Sequence, residues 1–316
     1  MPTLNGRTLK LVEALLARAD DLRVSSHPIE KGGRFIDCGI DARGGLAAGL
    51  DLARICLGDR AEVSLVPGEV AGRPCPHVQV ATDHPVQACL ASQYAGWAIQ
   101  EEKFFAMGSG PMRAAAGNEA VFDDIGFREE PEMVVGVLES RKRPTPAVVA
   151  KIAAACRVSP TAVTLLVAPT ASLAGSLQVV ARAVETTLHK LHALKFDVQR
   201  VMSAYGSAPL PPVARDDIGS IGRTNDAILY GGRVVLFVTG DDESLQEVGP
   251  RVPSSSSHDH GAPFAEIFAR YDNDFYKVDP HLFSPAQVVF HNLDTGRAFS
   301  FGEPADAVLH RSFFEG

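Results

Sequence analysis

The sequence lacks long apolar runs and an excess of basic residues. No stretch approaches the roughly 18 to 20 apolar residues needed to span a bilayer, and the amphipathic pattern of residues 1–22 differs from a cationic, apolar export signal. The 30 Lys and Arg stand against 38 Asp and Glu, a net charge of −8, and only the RKR at 141–143 concentrates positive charge. We therefore expect a cytoplasmic protein that binds neither membranes nor nucleic acids.

Disulfide spacing and several catalytic motifs are also missing. The five cysteines have no CxxC spacing, so we expect free, mostly buried thiols. They are Cys38, Cys56, Cys75, Cys89 and Cys156. No GxSxG occurs, which excludes a serine hydrolase of that type, and AMGSGPMR at 106–113 lacks the lysine and the spacing of a P-loop.

Length and periodicity predict an α/β (α+β mixed) protein of two lobes. A chain of 316 residues exceeds the ~100 to 200 usual for one domain, and helical and strand patterns are mixed along it. We predict helices at about 7–22, 85–101, 146–157 and 173–195, and strands at about 61–66, 77–81, 133–138, 163–168 and 233–239. The joint at 140–146 predicts an N-terminal α/β lobe at 1–143 and a C-terminal α/β lobe at 144–316, although the chain can cross between them.

Two segments share an order of patterns. HVQVATDHPVQACLASQYAGWAIQ is followed by FFAMGSGPMR, and TLLVAPTASLAGSLQVVARAVETTLHKL is followed by VMSAYGSAPLPP. Both have the pattern of a strand, a short turn, an Ala-rich helix, a strand and Gly-Ser-x-Pro. Identity between them is low, so chance is the alternative to an internal duplication. A duplication would give two related α/β lobes with the active-site cleft between them.

One predicted helix, SLQVVARAVETTLHKL at 176–191, carries a charged pair inside an apolar run. Arg182 and Glu185 would be neighbours on one helical face, with Cβ atoms about 5 to 6 Å apart. One interpretation is an exposed ion pair, which contributes little to stability. The other is a carboxylate in a cleft, whose charge state is set by a fixed cation.

Three further segments provide polar groups. The Gly-Ser-Gly loop at 106–113, with Arg113, could hold an anion or could be a tight turn. Residues 224–226, TND, could line a pocket, although helix capping is the commoner role. The HDH at 258–260, with aspartates at 272–279, offers metal-ligand residue types without the spacing of HExxH.

Six segments carry a resemblance to a known family, in the same order along the chain. They are ACLASQYAGW (88–97), AMGSGP (106–111), SLAGSLQVVARAVETTLHKL (172–191), TNDAILYGG (224–232), VPSSSSHDHGAPF (252–264) and DFYKVDPHLFSPA (274–286). Together they resemble methenyltetrahydromethanopterin cyclohydrolase, in its bacterial, methylotroph-type branch, from about residue 5 to 315. The sequence departs from the family pattern at His258 and His260, where the family has an arginine and a tyrosine.

The resemblance implies a cytoplasmic homotrimeric enzyme, with no metal or other cofactor, whose partner is a pterin substrate. It implies reversible hydrolysis of 5,10-methenyltetrahydromethanopterin to 5-formyltetrahydromethanopterin, in the one-carbon metabolism of methylotrophy (formaldehyde oxidation). The family's catalytic Arg and Glu lie in a helix like ARxVETxxHKL, and here they are Arg182 and Glu185, with the Glu acting as base and then acid. The expected substrate-binding residues are Gln93, Tyr94, Ser109, Gly110, Arg113, Asn225 and Asp226. The alternatives are a non-enzymatic pterin-binding carrier and a different amidohydrolase using the same cleft.

Overall fold

The chain folds into two compact units, each built from two segments. The computed structural model describes residues 3–94, 96–272 and 274–315. Unit 1 consists of Met1–Glu62 and Gln87–Gln178, and unit 2 of Val63–Val86 and Val179–Gly316. The chain therefore passes from one unit to the other at three points, and the expected boundary at 143/144 lies inside unit 1.

Helices and strands are mixed along the described residues. The strands are β1 (Ser25–Pro28), β2 (Arg34–Asp37), β3 (Glu62–Val66), β4 (Glu69–Val70), β5 (Arg73–Pro74), β6 (His77–Thr82), β7 (Trp97–Glu101), β8 (Phe104–Ser109), β9 (Val134–Glu139), β10 (Val163–Ala168), β11 (Val201–Pro209), β12 (Arg233–Val238), β13 (Gln287–Asn292) and β14 (Ala298–Gly302). The α-helices are α1 (Leu4–Leu16), α2 (Ala19–Leu22), α3 (Leu46–Cys56), α4 (Met112–Ala116), α5 (Val121–Ile125), α6 (Pro146–Cys156), α7 (Leu173–Val180), α8 (Ala183–Ala193), α9 (Asp217–Gly231), α10 (Asp242–Val248), α11 (Phe264–Arg270) and α12 (Asp306–Phe314). None of these helices has both the length and the apolar character to cross a membrane.

Unit 1 is built on a six-stranded sheet in the order β1-β2-β10-β9-β8-β7. Strands β2, β10 and β9 are parallel, and β10 is buried at every position. A continuous apolar strand of this kind is typical of a parallel sheet covered on both faces. Alternate residues serve the two faces: Leu165 packs in a cluster with α6, whereas Leu166 packs in a cluster with α1 and α3. Helices thus cover both faces of the parallel strands.

Unit 2 contains the second six-stranded sheet, in the order β14-β13-β12-β11-β6-β3. Only β12 and β13 are a parallel pair among the strand pairs that the structure describes in this sheet, and β11 runs antiparallel to both β12 and β6. Helix α8 packs on β11 and β12, and α9 packs on β11, α11 and α12. The sheet therefore supports α8, the helix that carries Glu185.

Three of the four predicted helices differ from the structure. The helix predicted at 7–22 is two helices, α1 and α2, with a turn at residues 17 and 18. The segment predicted as a helix at 85–101 is a π-helix at Val86–Gln93 followed by strand β7, while residue 95 lies outside the described residues. Strand β7 pairs antiparallel with β8, so sheet formation decides the state of a segment whose Ala-rich start favours a helix. The long helix predicted at 173–195 is two helices, α7 and α8, with a turn between them.

The internal duplication is not confirmed. In both proposed copies the chain leaves one sheet and enters the other: from β6 through the π-helix to β7, and from β10 through α7 and α8 to β11. The strand pairings of the copies nevertheless differ. Strand β10 lies between two parallel neighbours, whereas β6 is antiparallel to β11.

Candidate functional site

The break between α7 and α8 determines where the Arg–Glu pair lies. Arg182 is the N-cap residue of α8, with φ −92° and ψ 4°, and Glu185 lies in the first turn of that helix. The Arg182 N–H donates to the Val179 carbonyl, and its own carbonyl accepts the first α8 bond from the Thr186 N–H. No glycine or proline marks this break, so the sequence pattern predicted a continuous helix.

Arg182 and Glu185 form a buried ion pair. Arg182 Nη1 lies 3.9 Å from Glu185 Oε2, and the two side chains are only 6% and 5% exposed. The interpretation as an ion pair on an exposed helical face is therefore wrong. The guanidinium and the positive N-terminal end of α8 both favour a charged carboxylate, while burial opposes it.

The first turn of α8 comes close to the sheet because β11 has a glycine at residue 206. A Cβ atom added at Gly206 would lie 2.7 Å from Val184 Cγ2, closer than side-chain carbons pack. Val184 is fully buried and precedes Glu185 directly. Gly206 thus sets the distance between the sheet and the turn that holds the carboxylate.

Five of the predicted binding residues lie near one another in unit 1, around the π-helix at Val86–Gln93. A π-helix of this length is rare, and such segments occur often at functional sites. The Gly110 N–H donates to the Ser92 carbonyl at 2.8 Å, and Gly110 has φ +87°, which favours glycine. Gln93 and Ser109 are fully buried, and the Ser109 hydroxyl lies 3.1 Å from the Cys56 sulfur.

Arg113 has an internal carboxylate partner. Its Nε and Nη2 donate to the two Glu119 carboxylate oxygens at 2.9 and 2.7 Å, and its Nη1 donates to the Leu90 carbonyl at 2.8 Å. The guanidinium also lies 4.9 Å from the Tyr94 ring. Arg113 is fully buried, so an external anion would have to displace Glu119 to reach it. Its expected role as an anion ligand stays a prediction that the observed contacts do not favour.

Residues 224–226 lie inside α9, so the helix-cap interpretation is wrong. The N-cap of that helix is Asp216, whose side chain accepts from the Gly219 N–H. The Asn225 side chain donates to the Ile221 carbonyl one turn earlier. Asp226 is fully buried and accepts from the Phe264 N–H at 2.7 Å and the Ser312 hydroxyl at 2.6 Å.

Asp226 therefore links three helices of unit 2: its own helix α9, the start of α11 and helix α12. Burial raises the pKa of its carboxyl to about 7, although the two hydrogen bonds act in the opposite direction.

The HDH segment at 258–260 forms ion pairs and hydrogen bonds. His258 Nδ1 lies 3.1 Å from Asp279 Oδ2, and Asp259 accepts from the Tyr271 hydroxyl at 2.9 Å. His260 packs against the Tyr230 ring with centroids 4.9 Å apart. Within the described residues, no three His, Cys, Asp or Glu side chains are grouped as metal ligands would be.

Two buried polar residues near the Arg–Glu pair in sequence were not predicted. Gln178, in α7, donates to Glu139 Oε1 at 3.1 Å, and Glu139 ends strand β9. An acidic residue at the carboxyl end of a buried parallel strand is a recognisable signal for a site. Lys190, in the last turn of α8, is 2% exposed and donates to the His281 carbonyl at 2.5 Å. Burial lowers its pKa to about 8.

The fold and these contacts define a mixed α/β protein with a buried guanidinium and carboxylate at the start of a helix, an arrangement suited to acid–base catalysis. A family model described as Cyclohydrolase (MCH) matches residues 3–313. The chain is 51% identical over 287 residues to a protein of Rhodopirellula baltica, covering 89% of this chain and 86% of that one. It is 48% identical over 317 residues to one of a Methylobacterium species, covering 99% and 98%, and 40% identical over 318 residues to one of Methanothermobacter marburgensis, covering 99% of each.

All three of these relatives are named methenyltetrahydromethanopterin cyclohydrolase. The chain belongs to the methenyltetrahydromethanopterin cyclohydrolase family.

The close approach at Gly206 gives a first prediction. Gly206→Ala should lower the free energy of unfolding by roughly 1 to 3 kcal/mol, because the added methyl overlaps the β-branched Val184 side chain. Urea unfolding measures this loss. In the matched double variant Gly206→Ala/Val184→Ala, the overlap is gone, so the combined loss should be smaller than the sum of the single losses. Strictly additive losses would show that the two residues are not in steric conflict.

The buried Asp226 gives a second prediction. Its folded-state pKa of about 7 lies above the ordinary value near ~3.9, so the folded chain keeps a proton that the unfolded chain releases between these pH values. Stability therefore falls as the pH rises through this window and is lowest above it. Asp226→Asn can still accept from the Phe264 N–H and can donate to the Ser312 hydroxyl.

We expect the Asp226→Asn variant to be more stable than the unsubstituted protein at pH 8, by roughly 1 to 4 kcal/mol, with a smaller difference near pH 4. Urea unfolding at several pH values measures this. Asp20→Asn, at an exposed position, is the control for loss of a charge. A stability difference that is the same at both pH values would contradict a buried protonated carboxyl.

Proposed function

We propose that the protein hydrolyses 5,10-methenyltetrahydromethanopterin reversibly to 5-formyltetrahydromethanopterin. The family match over residues 3–313 and the names of the relatives support this activity. The observation that carries the chemistry is the buried ion pair of Arg182 and Glu185. We propose Glu185 as the catalytic base and acid. Arg182 is proposed as the cation that positions the Glu185 carboxylate and favours its ionised form.

The reaction begins at the methenyl carbon, which lies between two nitrogens of an amidinium cation. Because that carbon is already electrophilic, the proposed reaction needs no Lewis acid and no cofactor, only an activated water. The water oxygen bonds to the carbon while one water proton passes to the Glu185 carboxylate. A neutral tetrahedral carbon bearing a hydroxyl group results.

The second step opens the ring. The protonated Glu185 gives its proton to nitrogen 10 as the bond between that nitrogen and the carbon breaks. The hydroxyl group becomes the formyl carbonyl on nitrogen 5 and releases its proton to solvent. Glu185 returns to its charged form, and one proton is released overall. The same steps in reverse order give the ring closure.

We propose that Gln93, Tyr94, Ser109, Gly110 and Arg113 contribute to pterin binding, together with Asn225 and Asp226. The support for the first five is their proximity around the π-helix and the Gly110 turn. Gln93, Ser109, Arg113 and Asp226 are fully buried, so these four would act by shaping the site or through backbone groups. Tyr94 is partly exposed and is the residue of this set best suited to stacking on a pterin ring.

We further propose a cytoplasmic homotrimer that serves one-carbon metabolism in formaldehyde oxidation. These points are supported by the family resemblance of the sequence. Light scattering on the purified protein would test the trimer, since a mass near that of one 33.6 kDa chain would contradict it.

The catalytic proposal predicts the effect of Glu185→Gln. Glutamine keeps the size of the side chain but cannot accept and return the proton, so turnover should fall by roughly 10²- to 10⁴-fold. The measurement is the loss of methenyltetrahydromethanopterin absorbance with purified protein. Glu132→Gln, an exposed residue, is the matched control and should keep full activity. Undiminished turnover in the Glu185→Gln variant would place the base elsewhere.

The same assay separates the alternative functions. A non-enzymatic pterin carrier would bind the methenyl compound without consuming it, and would keep that binding in the Glu185→Gln variant. A metal-dependent amidohydrolase would lose activity on treatment with a chelator. The proposed cyclohydrolase keeps its activity in the presence of the chelator.

A further inference from the structure

A groove on unit 1 concentrates positive charge on a chain whose net charge is −8. The cavity has a volume of about 450 Å³ and is lined by Arg23, Ser25, His27, Asp41, Ala42, Arg43 and Arg143. Three guanidinium groups thus face one carboxylate. Arg143 belongs to the RKR segment at 141–143, which the proposed reaction does not use. A volume of this size is enough for a small organic molecule.

Two of the three arginines are available to a ligand. Arg143 Nη2 lies 2.5 Å from Asp41 Oδ2. Within the part of the chain that the structure describes, the Arg23 and Arg43 side chains make no ion pair or hydrogen bond. All three side chains are exposed. Arginine presents its N–H groups in a planar fork that matches phosphate oxygens, so two unpaired guanidiniums in one groove favour a phosphate group.

One of the loops that line the groove is held by backbone hydrogen bonds to a buried carboxylate. The Asp37 carboxylate accepts four backbone N–H groups in succession, from residues 39 to 42. These bonds fix the loop that carries Asp41 and Arg43. At the side, His27 stacks on Phe35 with ring centroids 4.9 Å apart and lies 2.9 Å from the Ser25 hydroxyl. A fixed loop lowers the entropy that binding would otherwise cost.

A glycine leaves room for one of the arginines. A Cβ atom added at residue 45 would lie 2.4 Å from Arg23 Nη2, so Gly45 lets the Arg23 guanidinium lie against the backbone. Arg23 itself has φ +55°, an uncommon conformation for a residue with a side chain. The position of this guanidinium therefore depends on local backbone geometry.

We propose that this groove is a binding site for a small molecule that carries a phosphate or diphosphate group. Arg23 and Arg43 are the primary ligands of the anion, and Arg143 joins them when Asp41 releases it. The proposal concerns unit 1 residues only and does not depend on the proposed reaction, because its test measures binding.

The test is calorimetric titration of the full chain with pyrophosphate at low ionic strength. Arg43→Gln should weaken binding about 10-fold or more, because it removes one charge-assisted contact, and among the described residues the Arg43 side chain has no other partner to lose. Arg215→Gln removes the same charge from an exposed side chain in unit 2 and should leave the affinity unchanged. Binding should also weaken with added NaCl, since exposed charges are screened.

A second variant should act in the opposite direction. Asp41→Asn removes the one carboxylate among the described residues that line the groove and frees Arg143, so it should tighten pyrophosphate binding by about 3- to 10-fold. A role in folding alone would not produce tighter binding. No binding of millimolar pyrophosphate, or equal affinities for the Arg43→Gln and Arg215→Gln variants, would overturn the proposal.

Kinetics then identify the source of the anion. If pyrophosphate raises KM for the methenyl substrate without changing kcat, and Arg43→Gln removes that effect, the anionic group belongs to the substrate. If the turnover kinetics do not change while pyrophosphate binds, the groove takes a separate phosphorylated ligand. Either result supports the site, and a failed turnover assay would leave the calorimetric result standing.

Discussion

The start of helix α8 is the constraint on which the proposed chemistry depends. Glu185 lies in the first turn of that helix, where the helix dipole favours an anion, and its buried carboxylate lies 3.9 Å from a guanidinium. Had α7 continued into α8, Glu185 would be an interior helical residue without the helix-terminal field. The two-residue turn at 181 and 182 therefore supplies both the geometry and much of the electrostatics.

Helix α8 is fixed at both ends within unit 2. Its first turn lies against strand β11 because Gly206 has no side chain. In its last turn, Lys190 donates to the His281 carbonyl and to the Ser256 hydroxyl, from the Ser-rich segment at 254–257. A cation in the last turn and an anion in the first both agree with the helix dipole. The Ser-rich segment thus helps to anchor the last turn of α8, the helix whose first turn carries Glu185.

The sequence predicted the strands of both sheets best where one residue pattern dominates, and failed where tertiary contacts decide. The strand β10 was predicted correctly because it is buried at every position, which leaves a continuous apolar signal. The strand β12 was predicted within a residue from its apolar run, although only alternate residues of it are buried. The strand β7 was missed, since its state depends on pairing with β8. Residues Arg182 and Glu185 were found by their polarity in an apolar run, but their burial and the helix break have no local signature. The same holds for the internal carboxylate partner of Arg113, six residues further along the chain.

The arginines of unit 1 show how environment separates structural from recognition roles. Arg113 is fully buried, and withdrawing Glu119 from it would leave an uncompensated charge in a medium of low polarity, so the pair behaves as part of the core. Arg23 and Arg43 are exposed, and among the described residues neither pairs with a carboxylate, so an incoming anion costs them only the loss of hydration. The Gly-Ser-Gly-Pro motif before Arg113 suggested this residue as the anion ligand. Replacing an existing partner by an external anion costs more free energy at Arg113 than at the groove arginines, Arg23 and Arg43. Whether a guanidinium can bind a ligand therefore depends on its burial and on the partner that it already has, rather than on the sequence motif around it.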